Sequence, residues 1–311
     1  MLWQLRPPDM VAAAGRSDGV RPELGERDIG QVLVVGGSGR LGALLRRAWA
    51  LAGQGGLVWQ RRGPGEGPRF DALAEPGAYA GAAAGADAIL NLAGQVGGGG
   101  ASFSAHRDLA LAALEAGRVA GVARVFLASS AAVYGRAAVP ARETDPVAPV
   151  SDYGRAKARM EAAALAWAAA HPGGPAVTCL RVGNVAGADQ LLGAPKGEAP
   201  QPLDLFADRT GPARSYVGPM ALSAILSALF AAGRAGRALP EVLNIALDGA
   251  VRMEALLDAD GRAWRARTAP DHLLREVRLD VTRLGAVVGP LARADAAAIV
   301  ADLRRVAEAG A

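Results

Sequence analysis

The sequence predicts an α/β fold, a doubly wound parallel sheet followed by a smaller C-terminal region. Short apolar runs alternate with helical stretches from about residue 31 to residue 182, the pattern of parallel strands joined by crossover helices. A cluster of glycines directly after the first apolar run fits the same class. Beyond residue 187 the pattern becomes irregular and rich in Pro and Gly. This change indicates a second region packed on the carboxyl ends of the strands.

The elements can be assigned in chain order. Residues 1–28 are polar and broken by Pro and Gly, so we expect an extension that is poorly ordered or lies on the surface. Five apolar runs have the composition of strands buried on both faces, at 31–35, 56–60, 86–94, 124–130 and 176–182. Helical stretches follow three of these strands, at about 41–51, 103–120 and 153–170. An apolar run from Met220 is interpreted as a buried helix.

Composition and charge exclude several classes of function. The chain has 311 residues, 51% of them hydrophobic, which is normal for a globular protein of one large or two modest domains. The net charge of +4 is spread along the chain without a basic and aromatic cluster, so we expect no nucleic-acid partner. No apolar run reaches the roughly 20 residues of a membrane span, and the first residues do not resemble a secretory signal. A reducing, cytoplasmic setting is the default expectation.

Cysteine and histidine usage predicts no metal site. The single cysteine, Cys179, lies in an apolar run and is interpreted as a buried small residue of a strand. His106, His171 and His272 lie far apart and lack the spacing of metal ligands.

The first strand runs into three glycines, Gly36, Gly39 and Gly42, spaced G-x-x-G-x-x-G. The first glycine allows a sharp turn, the second allows a pyrophosphate to approach the backbone, and the third allows close packing of helix on strand. The helix that follows directs free N–H groups and a positive dipole end at the phosphates. We therefore predict dinucleotide binding over a purely structural turn.

The end of the second strand indicates which dinucleotide is bound. NAD enzymes tend to place an acid there, whereas an arginine accommodates the extra phosphate of NADP. The strand ends in Arg61 and Arg62 with no acid, and Arg40 in the glycine loop is a further candidate, so NADP is favoured over NAD. Alternatively, Arg61 and Arg62 are solvated loop charges. Asp71 is placed either to bind the adenine amino group or to cap a helix, and both readings stay open.

Tyr153 and Lys157 are four residues apart on a predicted helix, so they share one face. This spacing alone does not separate a catalytic pair from two surface residues. Their place in the chain is more informative, because the glycine loop, NLAG (91–94), SSAAVYG (129–135) and then Tyr-x-x-x-Lys follow one another in this order.

This order of motifs resembles the extended short-chain dehydrogenase/reductase (SDR) superfamily, and more narrowly the NAD(P)-dependent epimerase/dehydratase family that acts on nucleotide sugars. The resemblance covers most of the chain from about residue 31. It implies a Rossmann domain that binds NAD(P) at 29–187 and a substrate-binding region at 188–311. It also implies cofactor contacts from Leu41, Leu92, Ala93 and Gly94.

The resemblance implies catalytic roles for Ser130, Tyr153 and Lys157. Tyr153 would be the acid or base that exchanges a proton with the reacting oxygen. A phenol has an ordinary pKa near 10, so Lys157 would lower it, and would also hold the nicotinamide ribose. Ser130 would hydrogen-bond the reacting oxygen. The alternative for Ser130 is a hydroxyl at a strand end that bonds only the backbone.

The resemblance also suggests two substrate residues. Asn184 in RVGN (181–184) would face the phosphates of the nucleotide sugar, and Arg214 would grip the diphosphate unless it is a surface ion pair. Two departures leave the sugar open. The family usually has an aromatic residue and His-Val-x-Asp where this chain has 217–220, and often an asparagine where this chain has 105–108.

The first hypothesis is therefore an NADP-linked oxidoreductase or epimerase acting on a nucleotide sugar. A dehydratase ranks lower because no convincing Asp-Glu pair lies beside Ser130. A reductase of a non-sugar carbonyl and a dinucleotide-binding protein without activity are the alternatives. The family resemblance also implies a homodimer through the helices at 103–120 and 153–170.

Overall fold

The computed structural model describes residues 27–94, 103–136, 139–195, 197 and 199–309. The predicted extension at 1–28 lies outside the described residues except for its last two. Of these two, Arg27 contacts the segment after α1, where its backbone N–H donates to the side chain of Gln54 at 3.1 Å.

The described residues alternate between strands and helices as far as β5 and follow a less regular order after it. The helices are α1 (Arg40–Leu51), α2 (Pro76–Ala83), α3 (Ala105–Ala120), α4 (Asp152–Ala170), α5 (Pro219–Arg234), α6 (Met253–Asp260), α7 (Thr282–Val288) and α8 (Ala296–Glu308). The strands are β1 (Val32–Val35), β2 (Leu57–Trp59), β3 (Ala88–Asn91), β4 (Arg124–Ser130), β5 (Ala176–Val182), β6 (Asn184–Val185), β7 (Gln201–Leu205), β8 (Ala213–Arg214), β9 (Tyr216–Val217), β10 (Val242–Ile245), β11 (Val251–Arg252), β12 (Trp264–Thr268) and β13 (Glu276–Val277).

The central sheet has six parallel strands in the order β10-β5-β4-β3-β1-β2. This confirms the predicted α/β class with a Rossmann-like sheet. The strand order reverses between β1 and β3. In sheets of this kind ligands bind outside the carboxyl ends of the strands, beside that reversal.

Both faces of the sheet are buried, as the continuous apolar runs predict. Along β1, Val32 and Val34 point into one core, whereas Leu33 and Val35 point into the other. Successive side chains of a strand face opposite sides, so a strand covered on both sides must be apolar throughout. The first core is rich in aromatic rings from α1, β4 and α5, and the second holds the small residues of α3 and α4.

The sequence prediction lacks helix α2 and, except for α5, every element after β5, including strand β10 of the central sheet. Helix α2 lies in an Ala- and Gly-rich stretch without apolar periodicity. It begins at Pro76 and buries Tyr79 and Ala83 one turn apart. Strand β10 is a four-residue run beyond residue 187 that pairs with β5 at the sheet edge. The predicted Rossmann region at 29–187 therefore supplies five of the six strands.

The C-terminal part of the chain forms three small sheets besides β10, in the orders β11-β8-β13, β12-β7 and β6-β9. Only Gly183 separates β6 from β5, so the smallest sheet leads directly off the carboxyl end of the central one.

The start of α5 is capped by a side chain from a distant helix. Gly218 is the N-cap and has no side chain to offer, so Asp302 of α8 supplies the cap. Its two carboxylate oxygens accept hydrogen bonds from the N–H groups of Met220 at 2.7 Å and Ala221 at 3.0 Å. A Cβ on Gly218 would lie 2.3 Å from Asp302, so a glycine is required for this approach.

We predict that Asp302→Ala lowers the free energy of unfolding by about 2 kcal/mol, because two N–H groups of α5 lose their acceptor. Denaturant unfolding followed by circular dichroism measures the loss. Asp295→Ala is the matched control, since it removes the exposed cap of α8 itself and should cost about 1 kcal/mol or less. Equal losses in the two variants would contradict a special role for Asp302.

Candidate active site

The glycine loop lies between the carboxyl end of β1 and the start of α1. Gly36 has a φ of 87°, a left-handed conformation that favours glycine, and a Cβ there would lie 2.6 Å from the amide nitrogen of Ala93. A Cβ on Gly42 would lie 2.6 Å from the Cα of Gly37. Both glycines are therefore required for the close approach of backbone to backbone.

Helix α1 presents its N-terminus at this loop. Gly39 is the N-cap, and no side chain caps the first turn, which contains Arg40, Leu41 and Gly42. Uncapped N–H groups at a helix start, together with the helix dipole, favour an anion. The loop therefore fits the pyrophosphate of a dinucleotide, and it has the shape that the sequence predicts.

The NLAG segment is held beside the glycine loop by the side chain of Asn91. Its amide donates to the carbonyl of Leu109 at 3.1 Å, and its oxygen accepts from the N–H of Ala93 at 3.0 Å. Residues 92–94 thus form a fixed turn against Gly36, where the resemblance places cofactor contacts.

A cavity of about 660 Å³ opens at the end of β2. It is lined by Ser38 of the glycine loop, by Arg46 of α1, and by the loop from Arg61 to Glu66. The guanidinium of Arg46 lies 4.8 Å from the ring centroid of Trp59, which fixes it by a cation–π contact. Arg46 is not among the sequence-predicted residues, because its position on α1 does not reveal that it faces this loop.

The predicted NADP arginines differ in their surroundings. Arg61 folds its own loop, since its guanidinium donates to the carbonyls of Gly63 and Gly67. Arg62 is exposed at the rim of the cavity. Arg40 reaches in another direction and donates to the carbonyl of Asp189 at 3.4 Å. Two of the lining arginines, Arg46 and Arg62, are thus best placed for a further phosphate.

Asp71 takes the geometry of a cap. One carboxylate oxygen accepts hydrogen bonds from the N–H groups of Leu73 at 2.9 Å and Ala74 at 3.0 Å. These bonds are the main reason why the pKa of Asp71 is lowered. The adenine contact of Asp71 stays a prediction.

Ser130 and Tyr153 meet at the carboxyl end of β4. Tyr153 lies in the first turn of α4, which begins after the N-cap Ser151. The Ser130 side chain is close enough to the Tyr153 hydroxyl to lower the pKa of the phenol. The Ser130 hydroxyl accepts a hydrogen bond from the N–H of Ala132 at 3.2 Å, so it has a backbone partner as well as the tyrosine beside it.

Lys157 lies one turn after Tyr153 and is only 4% exposed. Its Nζ donates to the carbonyl of Ala128 at 2.6 Å and lies 5.9 Å from the centroid of the Tyr153 ring. Burial lowers the pKa of Lys157 to about 8, although the nearby carboxylate of Glu161 acts in the opposite direction. Because the folded pKa lies below the unfolded one, this group stabilises the fold at high pH, and its contribution is lost as pH falls through about 8.

The pKa of Tyr153 is raised above its ordinary value. Burial is the main cause, and the Ser130 side chain beside the phenol acts against it. The lowering by Lys157 that the resemblance implies stays a prediction, since the lysine amine is bonded to Ala128.

Two further rings surround Tyr153 and were missed in the sequence. His106 of α3 and Phe103 just before that helix stack at 6.2 Å, and both meet the Tyr153 ring edge-on, at 5.8 Å and 6.0 Å. The one signal in the sequence was indirect: the family often has an asparagine where this chain has residues 105–108.

The two predicted substrate residues are bonded within the C-terminal region. The Asn184 side chain lies near the hydroxyl of Tyr216, which donates to the Asp189 carboxylate at 2.6 Å. The guanidinium of Arg214 donates to the carbonyls of Ala213 and Leu274, each at 2.8 Å, and burial lowers its pKa. The structure thus brings Ser130, Tyr153 and Lys157 together, whereas Asn184 and Arg214 have their partners in the C-terminal region.

Among the described residues, no group of three or more His, Cys, Asp or Glu side chains could hold a metal ion. Within the same ranges, no helix is long and apolar enough to cross a membrane.

Comparison with known proteins gives one family and many similar folds. A model of the NAD dependent epimerase/dehydratase family matches residues 32–203, more than half of the chain. The structure of MoeE5 in complex with UDP-glucuronic acid and NAD is 23% identical, with a TM-score of 0.71, over 91% of this chain and 100% of that one. No curated protein matches the chain in sequence.

Two other solved structures are similar at the level of the fold. UDP-glucose-4-epimerase from Stenotrophomonas maltophila, with bound NAD and formylated UDP-arabinopyranose, is 20% identical with a TM-score of 0.68, over 90% of this chain and 98% of that one. DesIV, a dTDP-glucose 4,6-dehydratase from Streptomyces venezuelae with NAD and TYD bound, is 20% identical with a TM-score of 0.67, over 88% and 97%.

Lys157 is expected to titrate near pH 8 rather than near 10.5, because burial disfavours the ammonium. The sequence contains two lysines, Lys157 and Lys196, so a Lys196→Arg variant labelled with ε-¹³C-lysine gives one side-chain NMR signal. Its chemical shift against pH reports the pKa of Lys157 directly. The same sample in denaturant is the control and should give the ordinary value. Equal folded and denatured values would contradict the burial of this amine.

Proposed function

The chain belongs to the NAD-dependent epimerase/dehydratase family, and from this premise we propose that it is an NAD(P)-dependent oxidoreductase or epimerase acting at a sugar carbon of a nucleotide-activated sugar. The observation that carries the proposal is the meeting of Ser130 and Tyr153 at the end of β4, where the serine side chain is close enough to lower the pKa of the phenol, with Lys157 buried one turn further along α4. The uncapped start of α1 lies at the same edge of the sheet, beside the strand-order reversal.

The dinucleotide would be held by residues at the carboxyl ends of β1 and β3. The glycine loop and the first turn of α1 offer N–H groups to the pyrophosphate, and the turn at 92–94 lies against the loop. Bound NAD(P) would supply the acceptor or donor of the hydride.

The proton chemistry belongs to Tyr153 and Ser130. In the oxidising direction Tyr153, as the phenolate, takes the proton of the substrate hydroxyl; in the reducing direction its O–H returns that proton to the carbonyl oxygen. Ser130 donates a hydrogen bond to the same oxygen and steadies the charge that develops there. In this proposal the Lys157 ammonium favours the phenolate electrostatically, against the burial that raises the pKa of Tyr153.

NADP is proposed as the preferred dinucleotide. The support is the cavity at the end of β2, where Arg46 is fixed over Trp59 and Arg62 lies at the rim. Two guanidinium groups suit the oxygens of a 2′-phosphate. The similar structures named above contain NAD, so the argument for NADP depends on the arginines of this chain alone.

The proposed substrate is a nucleotide sugar, supported by the ligands of the similar structures. In this proposal Asn184 and Arg214 face its phosphates.

A second candidate, a reductase of a non-sugar carbonyl, is favoured by one observation. Two donors of Arg214 are already used by the carbonyls of Ala213 and Leu274, which leaves fewer for a diphosphate.

Tyr153→Phe is expected to lower the turnover rate by a factor of roughly 10² to 10⁴, because the group that donates and accepts the proton is lost. The assay is NAD(P)H absorbance with a panel of UDP- and dTDP-sugars and with simple ketones, which separates the two candidate substrates. Cofactor affinity, measured by calorimetry, should be unchanged and serves as the folding control. A Phe variant that keeps full activity would refute the assignment of Tyr153.

Arg62→Gln is expected to weaken NADPH binding by about tenfold or more, because a charge-assisted hydrogen bond to the phosphate is lost. Affinity for NADH should not change. Titration calorimetry with both cofactors measures the difference. Arg47→Gln is the matched control, since Arg47 is an exposed neighbour of Arg46 on α1 that does not line the cavity. If the wild-type protein prefers NADH, the NADP assignment is wrong.

A further inference from the structure

A buried ion pair lies directly behind the catalytic side chains. Glu161 of α4 and Arg181 of β5 are both almost fully buried. The Nη2 of Arg181 donates to the Glu161 carboxylate at 2.7 Å, and its Nε lies 3.1 Å from both carboxylate oxygens. The proposed proton chemistry uses neither residue.

The carboxylate of Glu161 also contacts the strand that carries Ser130. The hydroxyl of Ser129 donates to it at 2.5 Å. Glu161 is thus fixed from two sides, by Arg181 on β5 and by Ser129 on β4.

Arg181 is fixed in turn by the surrounding residues. Its guanidinium lies 4.7 Å from the ring centroid of Tyr134, and its Nη1 donates to the carbonyl of Glu143 at 3.4 Å. The hydroxyl of Tyr134 donates to Asn244 of β10 at 2.7 Å. The ion pair therefore has a single, rigid arrangement that spans three strands of the sheet.

Stability alone does not explain such a pair. The desolvation of two buried charges usually offsets their attraction, and apolar residues of similar volume are often as stable. A buried pair is better explained when its charge acts on a third group.

Lys157 is that third group. It precedes Glu161 by four residues and lies on the same face of α4, and its ammonium is buried. The titratable groups that face it among the described residues are Tyr153 and Glu161 on α4 and Cys179 on β5, with Arg181 beyond Glu161. Glu161 is the carboxylate among them, and it favours the charged lysine against the effect of burial.

We propose that Glu161 is a positioning residue for Lys157: its carboxylate, held by Arg181 and Ser129 one turn along the same face of α4, keeps the amine that donates to the Ala128 carbonyl in its charged form. The inference rests on the proposed function for the role of Lys157 in catalysis, but its test needs neither substrate nor cofactor.

The test is the titration of Lys157 by NMR in Lys196→Arg protein labelled with ε-¹³C-lysine. In a Glu161→Gln variant the pKa of Lys157 should fall by about one unit, because the attraction of the carboxylate is lost. The direction is decisive. A variant that only loosened the packing would let water reach the amine and would raise the pKa towards 10.5. A pKa that stays the same or rises would overturn the proposal.

Two further variants complete the experiment. Asp260→Asn is the matched control, because it removes the carboxylate of another buried ion pair, with Arg262, and should leave Lys157 unchanged. If Glu161→Gln does not fold, Glu161→Met/Arg181→Met replaces the pair by apolar residues and should lower the pKa of Lys157 in the same way. Loss of turnover in Tyr153→Phe tests the proposed function separately, so failure of one proposal is distinguishable from failure of the other.

Discussion

The packing of α4 on the turn after β4 determines where every proposed catalytic group lies. Gly154 permits it, because a Cβ at that position would lie 2.4 Å from the carbonyl oxygen of Ala132. From this contact, one face of the helix meets three successive residues of the strand. Tyr153 lies beside Ser130, the Lys157 amine donates to the carbonyl of Ala128, and the Glu161 carboxylate accepts from the hydroxyl of Ser129. The strand is held between β3 and β5 by parallel pairing, so these three contacts share one rigid support.

The sequence predicts the parts of this structure that depend on local spacing. The glycines at 36, 39 and 42, the serine at a strand end and the Tyr-x-x-x-Lys pair are short patterns, and their local geometry follows from the backbone. The parts that were missed depend on contacts between distant residues. Asp302 caps α5 from 82 residues away, β10 pairs across the chain with β5, and His106 meets Tyr153 only because α3 packs beside α4. Glu161 is an intermediate case, since its place on the face of Tyr153 and Lys157 is visible in the sequence, whereas Arg181 opposite it is not.

Several arginines of this chain hold the backbone of irregular segments. Arg262 donates to the carbonyls of Leu192 and Ala194, as well as pairing with Asp260. Arg214 and Arg61 likewise donate to backbone carbonyls of nearby loops. A guanidinium has five donors in a rigid plane, so one side chain can hold several carbonyls of an irregular segment. The net charge stays small because 30 acidic residues oppose 34 lysines and arginines, and individual arginines are poor guides to function until their partners are known.

The position of β10 at the sheet edge bears on how the chain is made. During synthesis β5 emerges well before β10, and until β10 arrives the N–H and C=O groups along one side of β5 have no strand to pair with. An unpaired edge of this kind is a template for association with other chains. The nascent protein therefore passes through a stage in which the β5 edge of its sheet is open to association with other chains. The Rossmann region released without the later residues would keep this unpaired edge permanently.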